Sequence, residues 1–251
     1  MEEKIKVSVV IKTKNSENTL CDTLESIKDF DEIIIIDEHS SDDTVDIAKE
    51  YKAKIIYADK NNLSLAFNQA LDESANNWLF LLGDDEIVPQ KLATRIENYI
   101  LNPKKNRFCI CLEQKTYIQE KEIKCAKNNS LLRVFKKDYG EFSVDYLPKI
   151  KLKQGKCFKI SCRGENKKAC ILKFINPDFS KEVMDIVEKN RYVIKNITKN
   201  KGSLFIKPIF VFIYWYFLKG SIFDGKMGFI FAWKKYFEKL LLEISINEKR
   251  I

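Results

Sequence analysis

The stretch Trp78-Leu79-Phe80-Leu81-Leu82-Gly83-Asp84-Asp85-Glu86 is a short apolar run that stops abruptly in three adjacent carboxylates. Its apolar half has the length and bulk of a central strand covered on both faces, and Gly83 is the natural point for the backbone to leave the sheet. Clustered anions repel one another at intermediate dielectric, and a divalent cation held by oxygen donors offsets that repulsion best. The plainer reading of the triplet is an acidic, solvated turn.

Upstream of this stretch the pattern alternates. Strands are expected over 6–11 (Val7, Val9, Val10, Ile11), over 33–36, which is four isoleucines in a row, and over 54–57. Asn15 or Ser16 is placed to cap a helix carrying Leu20, Leu24 and Ile27. A second helix runs through Val45, Ile47, Ala48 and Tyr51, and a third over 64–75. The order β-α-β-α-β-α-β with short connections requires parallel strands, and right-handed crossovers bring their carboxyl ends to one edge, where ligands bind. Three polar loops therefore converge there: the one at Asn15, the one that begins at Asp37, and the one at Asp84 and Asp85. Neither a Gly-x-Gly-x-x-Gly turn nor a Gly-Lys-Ser/Thr loop follows the first strand, which disfavours dinucleotide binding and phosphate-loop ATPase chemistry. A metal bridged by Asp85 supplies another way to hold a diphosphate.

The 251 residues suffice for one large domain or for a domain with an appended element. A net charge of +8 hides an asymmetry: residues 1–100 hold 11 Lys/Arg against 21 Asp/Glu, and the rest hold 33 against 15. The acidic half suits a cation site, and the basic half suits phosphates or an anionic membrane surface. No nucleic-acid module accompanies the basic charge. Seven cysteines, without a Cys-x-x-Cys pair and with one histidine, argue against zinc. The first strand begins so near Met1 that no secretory signal is expected, and reduced thiols in a cytoplasmic setting follow as the default.

Four ordered blocks carry a resemblance: 8–15 with Glu17, 31–44, 68–71 and 78–86. In order and spacing they are similar to family 2 glycosyltransferases of GT-A fold, and among these to the bacterial lipopolysaccharide core glucosyltransferase branch. The resemblance implies transfer of a sugar from a UDP-sugar, with Mn²⁺ or Mg²⁺ on the diphosphate. It implies that Thr13, Asn15 and Glu17 line the nucleotide pocket, that Asp37 or Glu38 meets the base, and that Asn68 belongs to the donor site. Asp84 and Asp85 fall on the metal motif, with Asp85 as the direct ligand. The family usually has Asp where this chain has Gly83, and a basic residue where it has Phe67.

Downstream, Leu132-Arg133-Val134-Phe135 matches a segment of that branch and places Arg133 near the site as a charge partner. The branch follows it with a His-Glu block that supplies acid/base function, but an ungapped reading places Pro148-Lys149 there. An inverting transfer needs a carboxylate to take the acceptor hydroxyl proton. Asp145 is the candidate, with Glu141 and Glu86 behind it; the bland reading makes Asp145 an ordinary surface acid. His39 reads as a loop residue.

Residues 104–173 alternate short apolar runs with lysine-rich turns and read as added strands, and 178–196 as a connecting helix. Over 204–246, 13 of 43 residues are aromatic, and lysines at 207, 219, 226, 234, 235 and 239 flank them. The longest uncharged run, 208–218, is too short to span a bilayer. Two amphipathic helices broken near Gly220 and Gly225 suit a lipid headgroup boundary, or else pack under the domain or form a dimer interface.

The expectation is an α/β protein of GT-A (Rossmann-like) type with a mostly parallel sheet and a C-terminal amphipathic aromatic tail. Residues 1–200 form the glycosyltransferase domain (nucleotide-sugar half 1–100, acceptor half 101–200), and 201–251 a membrane-associating segment. Its activity is metal-assisted, inverting hexosyl transfer to a lipid-linked saccharide at the inner face of the plasma membrane. The alternative is a catalytically silent member that serves as a membrane-associated assembly factor.

Overall fold

The computed structural model of the chain describes residues 3–59, 62–103, 107–126, 131–142, 150–152, 157–160, 170–175 and 206–248. It divides into two compact units, one of residues 1–114 and 128–173, the other of residues 115–127 and 174–251.

In the first unit β1 (Ile5–Thr13), α1 (Glu17–Glu25), β2 (Phe30–Asp37), α2 (Thr44–Glu50), β3 (Lys54–Tyr57), α3 (Leu63–Glu73) and β4 (Trp78–Gly83) alternate as the sequence predicts. Parallel pairing joins β1 to both β2 and β4, and β2 to β3. The strands read as near-continuous apolar runs because both faces are covered. Val9 and Ile11 join Ile35, Phe80 and Leu82 in a cluster with Leu20 and Leu24 of α1 and Ala48 of α2. Val10 joins Ile34, Ile36 and Leu79 on the opposite face with Phe67, Ala70 and Leu71 of α3. Adjacent residues thus serve opposite layers, as the period of two dictates.

Beyond β4 come β5 (Glu86–Ile87), α4 (Gln90–Leu101), β6 (Cys109–Leu112), β7 (Gln114–Ile118), β8 (Lys121–Glu122), β9 (Leu131–Lys136), β10 (Gly140–Phe142), β11 (Ile150–Leu152), β12 (Cys157–Ile160) and β13 (Ile171–Ile175). The main sheet has seven strands in the order β12-β6-β9-β4-β1-β2-β3. β9 is antiparallel to both β4 and β6, which closes the parallel half and adds a mixed half. This is the mixed α/β, GT-A-like architecture, with a large, mostly parallel sheet flanked by helices.

One expectation is corrected here. Cys109 and Cys157 are joined in a disulfide, although the sequence reading has all thiols reduced. Parallel pairing of β6 with β12 sets these two residues directly side by side, with Cα atoms 4.6 Å apart, within the range a disulfide spans. The helix expected over 178–196 lies outside the described residues.

In the second unit β7 pairs with β8 through Tyr117 and Ile118, and Ile118, Ile123, Ala126, Ile175 and Phe231 form a small core. The C-terminal region is helical: α5 (Ile206–Ile213) runs into a π-helical turn, Tyr214–Leu218, and after a break α6 (Gly225–Glu248) follows. The break falls at Gly220 and Gly225, whose φ angles of 81° and 62° favour glycine. Gly228 serves a different need, since a Cβ there would lie 1.9 Å from the Ser221 carbonyl oxygen. Phe212, Tyr216, Phe229 and Trp233 tie α5 to α6 through edge-to-face and stacked rings. Among the described residues no helix is long and apolar enough to cross a membrane.

Candidate functional site at the carboxyl edge of the sheet

Register places the site. Thr13 pairs with Asp37, Lys12 with Gly83, and Asp37 with Tyr57, so β1, β2, β3 and β4 all end on one line. The loops that leave this line are laced together by side chains. Thr13 Oγ1 donates to Asp37 Oδ1 at 3.0 Å, while the backbone N–H and hydroxyl of Ser40 donate to the two Asp37 oxygens at 2.8 and 2.5 Å. Asp37 is fully buried, and these bonds hold the loop after β2 against the end of β1. Asn15, at φ 49°, accepts from the Ser41 N–H at 2.8 Å, and its own N–H donates to Ser40 Oγ at 2.8 Å. Glu17 accepts from the Asp43 N–H at 3.3 Å. Glu38 is buried and forms an ion pair with Lys12.

The third loop joins through Ser16. This residue occupies the N-cap position of α1, as expected, but its hydroxyl makes no cap bond and donates to Asp84 instead. Thr23 Oγ1 on α1 donates to the Asp84 carbonyl at 3.0 Å, and Ser26 Oγ accepts from the Val88 N–H at 3.1 Å. One face of α1 therefore carries hydroxyls that position the acidic turn.

Each remaining carboxylate of the turn meets a cation. Glu86, 2% exposed, receives Arg133 Nη2 at 2.7 Å on one oxygen and the Gly83 N–H at 2.7 Å on the other. Arg133 also donates to Gln114 Oε1 at 3.2 Å. Lys173 Nζ lies 3.0 and 2.8 Å from the two oxygens of Asp85. Burial works against the charge of Lys173, yet Asp85, Glu86 and Asp84 together hold its pKa above the ordinary lysine value. At Gly83, where the family usually has Asp, a Cβ would lie 3.0 Å from Asp85 Oδ1 and 3.1 Å from Glu86 Cδ, both side-chain atoms that a shift of a few tenths of an ångström would clear.

Asn68 stands apart from this group. Its amide clasps the backbone of Phe142, accepting from the N–H at 3.1 Å and donating to the carbonyl at 3.3 Å. Glu141 is exposed. Asp145 lies outside the described residues. His39 stacks on Tyr57 with ring centroids 5.9 Å apart, and its Nε2 is 3.3 Å from Asp59. The sequence reading brings together Thr13, Asn15, Glu17, Asp37, Glu38, Asp84, Asp85, Glu86 and Arg133; it misses Lys12, Ser16, Thr23, Ser40, Gln114 and Lys173. Serine and threonine in an N-cap region and on the inner face of a helix were a readable signal for the hydroxyls, but nothing in sequence marked Lys173.

The oxygen donors of the acidic turn suit a divalent ion. Among the described residues no group of three His, Cys, Asp or Glu side chains is placed to hold a metal by itself. Asp84 and Asp85 offer hard carboxylate oxygens, and Mg²⁺ or Mn²⁺ is ordinarily held by one or two carboxylates with phosphates and water completing the shell.

Comparison with known proteins finds relatives among glycosyltransferases. The chain is 27% identical to an uncharacterised glycosyltransferase of Rickettsia typhi across 98% of its own length and 90% of the relative's. It is 30% identical to an uncharacterised glycosyltransferase of Rickettsia prowazekii, across 55% of this chain and 49% of that one, so it spans about half the length of this second relative. The crystal structure of S. aureus TarS 1-349 in complex with UDP superposes with a TM-score of 0.48 at 14% identity, covering 98% of this chain and 91% of that one. The family model described as glycosyl transferase family 2 matches residues 8–139, from the first strand through β9, and the chain belongs to that family as a glycosyltransferase.

Proposed function

We propose that this chain transfers a hexose from a UDP-sugar, with a divalent metal and inversion at the anomeric carbon, to a lipid-linked saccharide such as a lipopolysaccharide or lipooligosaccharide core. The observation that carries this reading is the lacing of three loops at one sheet edge, Thr13 to Asp37, Asn15 to Ser40 and Ser41, and Ser16 to Asp84. Preorganised polar groups at such an edge suit a nucleotide diphosphate.

In this reading Thr13, Asn15, Glu17 and Glu38 border the nucleoside, with Asp37 fixing their loops. Asn68 and Arg133 act by position, the first through Phe142 and the second through Glu86. Asp85, with Asp84, would hold the metal, whose charge would offset that of the departing diphosphate. The acceptor hydroxyl gives its proton to a carboxylate, for which Asp145 is the candidate and Glu86 the reserve, as its oxygen bonds to the anomeric carbon. The bond from that carbon to the diphosphate oxygen breaks, and UDP leaves.

Residues 1–200 form the transferase domain, and 201–251 a segment that rests on the inner face of the plasma membrane. A lipid-anchored acceptor gives such a segment its purpose. A second reading, donor binding without transfer in an assembly factor, is favoured by the engagement of both Glu86 oxygens by Arg133 and Gly83.

Calorimetric titration of UDP into wild type and Asp85→Ala, with Mn²⁺ and with chelator, tests the donor site. Metal-dependent binding lost in a folded variant supports it, and no nucleotide binding by wild type sinks it. UDP release on adding extracted lipid then separates transfer from binding alone.

A further inference from the structure

We infer that Lys173 is the resident counter-cation of the donor-metal carboxylate: its ammonium holds Asp85 until a divalent ion displaces it, and then pairs with the donor phosphates. The inference rests on the reading that Asp85 binds the metal. β13 pairs antiparallel with β5, and Lys173 registers with Glu86. That register brings Nζ to within 3.0 Å of both Asp85 oxygens, so the ammonium faces the carboxylate edge that a metal would use.

Two cations cannot share that edge. A divalent ion sits roughly 2.1 Å from its oxygens, inside the space the ammonium fills. Arg133 is committed to Glu86 and Gln114, on the neighbouring position of the turn. Lys173 is differently held: its side chain is 33% exposed and ends in a point charge on a flexible four-carbon stem. Ion entry leaves that positive charge beside a diphosphate that a single divalent ion only partly neutralises. The ammonium and the metal thus exchange partners rather than compete to exclusion.

The test titrates Mn²⁺ alone into wild type, Lys173→Met, Lys173→Arg and Asp85→Ala, followed by UDP at saturating Mn²⁺. With no nucleotide, Lys173→Met should bind Mn²⁺ about 5-fold more tightly than wild type, the scale of one partly exposed ion pair. Its UDP affinity at saturating Mn²⁺ should fall by about the same factor, with Lys173→Arg restoring most of it. Lys173→Gln reads the same two signs should the Met variant fail to fold. Unchanged or weaker Mn²⁺ binding in Lys173→Met and Lys173→Gln, or unchanged UDP affinity, overturns the exchange while leaving the donor site intact if Asp85→Ala still abolishes binding. Absence of Mn²⁺-dependent UDP binding in wild type overturns both.

Discussion

Arg133 and Glu86 form an ion pair at 2.7 Å in which the carboxylate side chain is only 3% exposed and the guanidinium 18%. They come from β9 and β5, 47 residues apart, and hold the acidic turn to the mixed half of the sheet. Removing the guanidinium leaves a buried carboxylate uncompensated. Arg133→Ala is therefore expected to lower unfolding free energy by about 3 kcal/mol or more, whereas Glu86→Gln, which removes the charge that needs a partner, costs less. Urea unfolding of the two variants checks the asymmetry, and equal losses would show that the guanidinium needs its partner as much as the carboxylate does.

Asp37 and Thr13 make the corresponding joint between β1 and β2. Asp37→Ala strands the buried Thr13 hydroxyl, at about 1–3 kcal/mol if left unpaired, and the partly buried Ser40 N–H, at less. Asp37→Asn retains the shape and lets both hydroxyls rotate to the amide. The expected order of stability is wild type, Asn, then Ala, measured by thermal unfolding. If Asn matches Ala in stability, the carboxylate charge holds the loop and the hydrogen-bond count does not.

Asn68 predicts a local effect. Its amide satisfies both backbone groups of Phe142, whose ring is 2% exposed and lies 4.8 Å from that of Phe67. Asn68→Ala should speed amide hydrogen exchange at Phe142 and destabilise by about 1–3 kcal/mol. Asn68→Asp keeps the acceptor and loses the donor, so it should fall between. Weakened UDP binding in Asn68→Ala with unchanged exchange at Phe142 would instead put this side chain on the donor.

These joints show where sequence reading reached and where it stopped. The parallel half of the fold was legible because Val7 to Ile11, the Ile33 to Ile36 run and Trp78 to Leu82 are apolar throughout, and only a sheet covered on both faces asks for that. Helical spacing at Leu20 and Leu24 then fixed the crossovers, and the crossovers fixed the edge. The partners of the acidic turn were not legible. Lys173 lies 88 residues beyond Asp85 in a lysine-rich region, and only the pairing of β13 with β5 distinguishes it from its neighbours. Asn15 or Ser16 reads as a cap because local chemistry favours that use; the nearby Asp84 takes the Ser16 hydroxyl. Cys109 and Cys157 become a pair only when β6 and β12 lie side by side.

Glu243 supplies a pH prediction. It is buried on α6, 3.0 Å from Lys239 and 3.4 Å from Lys207. Burial pushes its pKa up, but the two ammonium groups outweigh this and hold it below the ordinary value of 4.5. A depressed folded-state pKa contributes stability above the unfolded value, and that contribution is lost as pH falls through the folded one. The stability gap between wild type and Glu243→Gln, followed by calorimetric unfolding, should be full at neutral pH and shrink below pH 4.5. A gap independent of pH would mean that packing, not charge, is what the variant removes.

The break between α5 and α6 gives the last prediction. Leu218 is 76% exposed and Phe223 90%, with Phe217 close by at 57%, and the exposed lysines Lys219 and Lys226 flank them. Large apolar side chains concentrated at a turn, rather than scattered, mark an interaction surface. Entry into a headgroup layer gains about 2 kcal/mol for each fully buried large side chain and about 1 kcal/mol for each lysine near anionic lipid. The chain should therefore sediment with vesicles containing phosphatidylglycerol and less with neutral ones, and salt should weaken the association. Replacing Phe217, Leu218 and Phe223 together by serine should reduce binding at least about tenfold, since partial burial of three such groups exceeds 1.4 kcal/mol. The same variant distinguishes the competing surface. Unchanged vesicle binding would take these side chains out of the lipid contact, and a wild-type dimer that this variant splits into monomers would show that the turn meets protein instead.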